Sequence, residues 1–281
     1  MQEATFNALA DLALTKTGQF ISPSKAYLME ARLSNILRRE GFASCDDLVA
    51  CLEARPNPAF EMEIASALQT RQTWFFRDRD MLERLVSDVI PAKLKQSKAG
   101  RLRILCSGVA TGQEAYSLAI LLGEHAQAMA GVRIDITATD ICKQSLNTAR
   151  AGTYGHFEIQ RGLSVHRLMR HFDQLETGQW QASEELRRAI GFRQHNLLDQ
   201  DAPLGQFDII ICAHVLSGMS KTMRAKASEL LTKKLTPGGL LFLGHGETLS
   251  GSSPAFEPSR SHRGGWEVVP DERRNEAKAA V

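Results

Sequence analysis

The sequence predicts an α/β domain built on a parallel sheet, preceded by an all-helical module. The apolar run Ile104-Leu105-Cys106 is short and unalternated, as expected of a parallel strand covered on both faces. It leads through a loop bracketed by Gly108 and Gly112 into Tyr116, Leu118, Ala119, Leu121 and Leu122, which recur at helical spacing. The roughly 95 residues ahead of this strand show helical periodicity.

Within the helical module, Ser44 with Asp47 three residues later forms a capping box ahead of Leu48, Val49 and Leu52, and Gly41 stops the preceding helix. Asn57-Pro58 opens another helix containing Met62, Ile64, Ala65 and Leu68. Lys25, Arg32 and Arg39 recur every seven residues along one helical stripe, with Arg38 nearby. That stripe reads either as a docking face or as an ordinary solvated one, since Leu28 and Ile36 fall close to it. The adjacent aromatics Trp74, Phe75 and Phe76 read as core. Asp80 caps a helix through Met81, Leu82, Leu85, Val86, Val89 and Ile90 that ends near Pro91. The predicted domains are therefore 1–92 (helical), 93–100 (linker), 101–270 (α/β) and 271–281 (charged tail).

A strand, a glycine loop and a helix open a nucleotide-binding unit, and the loop decides the nucleotide. Gln113 rather than lysine follows Gly112, which removes the P-loop, and the Gly-x-Gly-x-x-Gly dinucleotide pattern is absent. Glu114 stands at the helix N-terminus, where a pyrophosphate would otherwise bind, and a carboxylate there repels phosphate. It suits a ligand with an adenosine and a positive charge, such as S-adenosylmethionine. Asp140 ends the next apolar stretch, 134–139, where an acid can accept both ribose hydroxyls. Both acids also have a bland role, Glu114 complementing the helix dipole and Asp140 capping the next helix, and spacing alone does not choose.

After Asp140, a helix over 145–150 leads to Gly152-Thr153-Tyr154 and then to an insertion at about 155–195. Leu163, Arg167, Leu168, Met169 and Phe172 look helical, segments 172–175 and 179–182 flank the hairpin signal Glu176-Thr177-Gly178, and 190–195 would add a third strand. The chain re-enters the α/β domain at Asn196-Leu197. A strand over 207–212, a helix over 221–235, the turn Thr236-Pro237-Gly238-Gly239 and a strand over 240–243 follow.

The length of 281 residues accommodates two cores. A hydrophobic content of 43% and a charged content of 23% are those of a globular protein. No apolar run spans a bilayer, and the N-terminus lacks a basic start followed by an apolar core, so a cytoplasmic protein without membrane insertion is expected. Five cysteines without Cys-x-x-Cys spacing read as reduced thiols. Histidines scattered without ligand spacing imply no metal, and a net charge of +2 implies no nucleic acid.

The loop VATGQEAYS, the segment ATDICKQSLNTARAGTY, the upstream TWFFRD, and FDIIICAHVL with LTPGGLLFLGHGETL resemble, in order, the CheR-type chemotaxis receptor methyltransferases. The resemblance implies a class I S-adenosylmethionine methyltransferase. It would have a seven-stranded, mostly parallel sheet finished by an antiparallel hairpin with 266–269 last, an N-terminal helical domain and a small antiparallel β-subdomain. It implies S-adenosylmethionine as donor, S-adenosylhomocysteine as product, and glutamate γ-methyl esters on chemoreceptors as the reaction. The helical domain would face the receptor's cytoplasmic helical bundle, and the insertion would dock a receptor C-terminal tail by strand addition, the alternative being a decorative insertion.

Carried over residue by residue, Arg77 is the catalytic arginine holding the incoming carboxylate. The cofactor set is Arg71, Thr73, Arg77, Gly108, Gly112, Glu114, Asp140, Asn196, Leu197, Ala213 and His214. Arg71 stands where the family has asparagine. A larger departure is Cys212-Ala213-His214-Val215-Leu216-Ser217-Gly218-Met219, where the family reads Cys-Arg-Asn-Val-x-Ile-Tyr-Phe. Loss of the Arg-Asn pair and of the tyrosine at Gly218 predicts reduced transfer. It also leaves open a cofactor- and receptor-binding adaptor. A small-molecule O-methyltransferase is disfavoured by the insertion and by the absence of a general base.

Overall fold

The computed structural model describes residues 1–96, 100–201, 203–270 and 272–273, and its N-terminal segment forms four helices. These are α1 (Glu3–Thr17), α2 (Ala26–Glu40), α3 (Cys45–Ala54) and α4 (Pro58–Ala67). Their starts and stops follow the sequence signals. The Ser44 hydroxyl accepts the Asp47 N–H at 3.2 Å, Asn57 accepts from Ala59 and Phe60, and Gly41 closes α2. Leu9, Met29, Leu33, Leu48, Ile64 and Leu68 are buried in a core of their own. This first unit comprises Met1–Thr70 together with Ser217–Lys226. Gly18 to Phe20 pair with the second of these pieces: Phe20 N–H donates to the Gly218 carbonyl at 3.0 Å, and Ser220 N–H donates to that of Gly18 at 3.2 Å.

The second unit comprises Arg71–Leu216 and Ala227–Val281. In chain order its elements are α5 (Arg79–Arg84), α6 (Ile90–Gln96), β1 (Arg101–Ser107), α7 (Gln113–Glu124), β2 (Arg133–Asp140), α8 (Lys143–Ala151), β3 (Thr153–Tyr154), α9 (His156–Gln160), α10 (Val165–His171), β4 (Phe172–Gln174), β5 (Trp180–Ala182), α11 (Glu184–Arg188), β6 (Ile190–Gln194), β7 (Phe207–Ile211), the part from Ala227 onward of α12 (Lys221–Lys234), β8 (Leu235–Phe242), β9 (Phe256–Pro258) and β10 (Gly265–Val268). The main sheet has the order β6-β2-β1-β7-β8-β10-β9. The first five strands are parallel and β10 is antiparallel to both of its neighbours. This is the predicted seven-stranded, mostly parallel sheet. Strand order reverses at β1, between β2 and β7, which is where open α/β sheets bind ligands.

The turn expected at 236–239 is absorbed into β8, and three further boundaries differ from the sequence reading. The units divide after Thr70 rather than at residue 92, because Met81, Leu82, Leu85, Val86, Val89 and Ile90 are buried in the α/β core. The helix they belong to does not stop at Pro91. A π-helical turn over Leu85–Val89 links α5 to α6, so 93–96 of the expected linker is helical, while 97–99 lie outside the described residues. Segment 190–195 is not the third strand of the small sheet. Ile190–Gln194 joins the main sheet beside β2, and Thr153–Tyr154 completes the small sheet in the order β3-β5-β4. Its apolar Ile190 is buried beside Ile136, a better fit to a parallel edge than to a solvated hairpin. Of the expected tail, only 272–273 is described. Among the described residues no helix is long and apolar enough to cross a membrane.

The glycine loop is held in place by its own backbone geometry. Gly112 has φ +95°, and a Cβ there would sit 2.8 Å from the Ala149 Cβ. Tyr154 closes over the loop, its hydroxyl donating to the Thr111 carbonyl at 2.7 Å. Gly112→Ala is therefore expected to destabilise the chain by about 1–3 kcal/mol, through overpacking and a left-handed residue that carries a Cβ. Denaturant unfolding checks this, and a wild-type midpoint would contradict it.

Candidate functional site

The site begins with the aromatic segment before α5. Phe75 is fully buried and meets Tyr154 and Phe172 edge to face, at ring centroid distances of 5.1 and 5.4 Å. Phe76 takes φ +53°, uncommon for a residue with a side chain, and its N–H donates to Ser117 Oγ at 2.9 Å. Ser117 in turn donates to the Gln113 carbonyl at 2.6 Å, so the N-terminal part of α7 grips the segment that precedes Arg77. Arg77 donates to the Gln72 carbonyl at 2.6 Å and lies over the Trp74 ring, 4.4 Å from its centroid.

At the carboxyl ends of the strands the predicted residues fall into two groups. In the first, Asp140 is buried at the end of β2 and both of its oxygens are engaged. Oδ2 accepts the Ala110 N–H and Oδ1 the Cys142 N–H, each at 2.8 Å. Burial raises its pKa, opposed by these N–H groups and by the charge of Arg71. Arg71 reaches Ser145 Oγ at 3.3 Å, so the arginine that departs from the family pattern belongs to this group. Asn196 and Leu197 follow β6 after one intervening residue, His195. The adjoining His195 N–H donates to the Asp140 carbonyl at 3.0 Å, and Asn196 Oδ1 accepts the Leu198 N–H at 3.0 Å. Thr73 is half-buried.

The second group gathers around Glu114. Its carboxyl is half-buried, and among the described residues it receives no hydrogen bond. Burial pushes its pKa up to about 8, the negative charges of Asp78 and Glu247 push the same way, and Arg77 opposes them. This is the strongest sign that the residues present fit S-adenosylmethionine, because a desolvated carboxylate lacking a donor is what an ammonium completes. Gly108, at the tip of β1, leaves no room for a Cβ beside Val215.

Ala213 is buried in the core, and His214, at φ +61°, is the residue whose role the sequence concealed. Its Nε2 lies 2.9 Å from Asp78 Oδ2, and its backbone N–H donates to Glu247 Oε2 at 2.6 Å. Asp78 also accepts the His245 N–H at 2.7 Å, and Glu247 that of Gly244 at 2.9 Å. The imidazole lies so close over Gly244 that a Cβ there would collide with the ring. His214 therefore ties the start of α5, the end of β7 and the loop after β8 together. Asp78 and Glu247 were not singled out from sequence. Their common signal is an acid beside a predicted site residue or strand end. A cavity of about 690 Å³ opens beside this group, lined by Arg77, Asp78, Arg84, Gly244, Arg263 and Trp266.

In the first unit, Gly218 has a physical reason of its own. The Gln19 amide donates to the Gly218 carbonyl at 2.9 Å, and a Cβ at Gly218 would lie 2.6 Å from Gln19 Nε2. The space a larger residue would need is taken by Gln19.

Two family models account for the chain: the CheR methyltransferase SAM binding domain matches residues 71–264, and the CheR methyltransferase all-alpha domain matches 4–68. The chain belongs to the CheR methyltransferase family. Chemotaxis protein methyltransferase Cher2 of Pseudomonas putida is 34% identical over 237 residues, covering 83% of this chain and 86% of the relative. Chemotaxis protein methyltransferase 1 of Pseudomonas aeruginosa is 35% identical over 241 residues, 84% and 88%. The chemotaxis protein methyltransferase of Vibrio parahaemolyticus is 32% identical over 252 residues, 89% and 91%. The CheR domain boundary between 68 and 71 coincides with the division of the two units.

Glu114 binds its proton more tightly folded than unfolded, so the stability it contributes is complete below its ordinary pKa of 4.5 and is lost as pH rises through about 8. Without cofactor, Glu114→Gln should melt a few degrees above the parent near pH ~8.5, with the gap closing toward pH ~5. A gap independent of pH would refute the buried-carboxylate description. Separately, Gly218→Tyr should lower the melting temperature, and Gln19→Ala combined with it should recover most of the loss. Equal melting of the single and double variants would show that Gln19 is not the obstruction.

Proposed function

We propose that this chain transfers a methyl group from S-adenosylmethionine to glutamate side chains of chemoreceptors, forming γ-methyl esters and leaving S-adenosylhomocysteine. The observation that carries the reading is the buried carboxylate of Glu114 beside Arg77, at the switch point of the sheet in a CheR-family chain. Glu114 takes the cofactor's ammonium. Asp140 fixes the glycine loop through Ala110, and the second lone pairs of its oxygens serve the ribose hydroxyls. Asn196 and Leu197 stand beside the adenine, with Arg71, Thr73, Gly108, Gly112, Ala213 and His214 completing the pocket walls.

The cofactor supplies an electrophilic methyl group on a sulfonium with a neutral thioether as leaving group. What remains for the protein is alignment. A substrate glutamate, with a reference pKa near ~4.3, is already ionised at neutral pH, so no general base is required. Arg77 receives that carboxylate, and the hydrogen bond from Phe76 to Ser117 holds Arg77 in register with Glu114. Positioning of this kind supplies roughly 7–11 kcal/mol. His214, bound to Asp78, supports the wall where an Arg-Asn pair is missing, which favours transfer over the adaptor role.

The finer partner reading places the receptor's helical bundle against the first unit and its C-terminal tail on the small sheet in the cytoplasm. Of the basic stripe, Arg39 is held by Glu63 and Glu40, and Arg32 by Thr70 and the Leu68 carbonyl, so Lys25 and Arg38 are its candidates for a receptor. Strand β4 is an edge of the small sheet, the position strand addition requires.

Radiolabelled methyl transfer to receptor cytoplasmic fragments tests the reading, and label that is labile to base, as an ester is, is the expected result. Glu114→Ala and Asp140→Ala should each weaken S-adenosylhomocysteine binding by about 1–3 kcal/mol in calorimetry. Parental affinity in both variants would misplace the pocket.

A further inference from the structure

Trp74 carries two guanidinium groups. Arg77 Cζ lies 4.4 Å from its ring centroid and Arg161 Cζ 3.8 Å. Arg161 comes from the turn between α9 and α10, and this turn is built against the aromatic segment. Gly162 has φ +86° and packs so tightly on the Phe75 carbonyl that a Cβ would overlap it, with Trp74 Cδ1 3.3 Å from the same point. The next arginine of the insertion also lies over an aromatic ring. Arg167 lies 4.2 Å from the Phe76 ring centroid while Glu124 holds it bidentately, at 2.9 and 2.8 Å.

The contrast between the two arginines is informative. Arg167 has its carboxylate partner inside the chain. Among the described residues neither Arg161 nor Arg77 is ion-paired to an acid, although both sit on one indole and repel one another there. Arg161 is exposed, and a guanidinium is a planar fork suited to a carboxylate. Two such forks flanking one aromatic residue match a segment that presents two carboxylates on one face.

We propose that Arg161 is a substrate-binding residue that takes a second carboxylate of the protein substrate, next to the one Arg77 receives. The inference rests on the methyl-transfer reading for the identity of the first carboxylate. It assigns the enzyme a preference for acidic helical segments over isolated glutamates, and it makes the α9–α10 turn part of the substrate site.

The test uses the full chain with S-adenosylhomocysteine bound and two synthetic receptor methylation-helix peptides, one with glutamate and one with glutamine flanking the target glutamate. The parent should bind the acidic peptide about tenfold more tightly, and Arg161→Gln should lose that preference while keeping cofactor affinity and melting temperature. Arg161→Lys, which keeps the charge and loses the planar fork, should fall between them. In turnover, Arg161→Gln should raise KM for the acidic peptide with kcat little changed. Equal affinity of parent and Arg161→Gln for the acidic peptide, or no preference by the parent, overturns the proposal. Failure of the parent to methylate any receptor overturns the methyl-transfer reading instead, and the affinities still decide the role of Arg161.

Discussion

A partly buried carboxylate that receives no hydrogen bond among the described residues is the constraint on which this site depends. Burial and the charges of Asp78 and Glu247 push the Glu114 pKa up, and Arg77 opposes them. The apoprotein bears that cost, so much of the surrounding structure fixes what must not move: the Phe76 N–H on Ser117, Asp140 on the loop, and His214 across two acids. Stability and ligand affinity are set against each other at one side chain, a common condition of binding sites.

The departures from the family pattern look different once their neighbours are known. His214 makes a linkage from Asp78 to Glu247, and Gly244 supplies the room its ring needs. Gly218 likewise has a partner in Gln19. Both substitutions are halves of pairs whose other halves lie far away in sequence.

This distance explains what was legible in the chain and what was not. Local signals held: Ser44, Asn57 and Gly41 bound their helices, and the strand, loop and helix around Gly112 formed as the apolar spacing indicated. Glu114 and Asp140 came from chemistry at known offsets in the same unit. The helix runs on through Pro91 by way of a π-turn that no sequence spacing announces, and a short alternating strand such as β6 does not declare which sheet it joins. Asp78, Glu247, Trp74 with Arg161, and Gln19 were hidden for a shared reason. Each acts through a contact spanning tens of residues or more, and no periodicity records such a contact.

The pairing of Gly18 to Phe20 with Gly218 to Ser220 also bears on how such chains recombine. The helical unit is discontinuous, closing only when a stretch encoded some two hundred codons later arrives. A crossover at Thr70 would therefore separate Gln19 from Gly218 and bring together halves that had never been selected with one another. Viable exchanges of the helical unit between homologues must carry 217–226 with it. Divergence at these two places should be inherited together, as a single heritable character written at two loci of one gene.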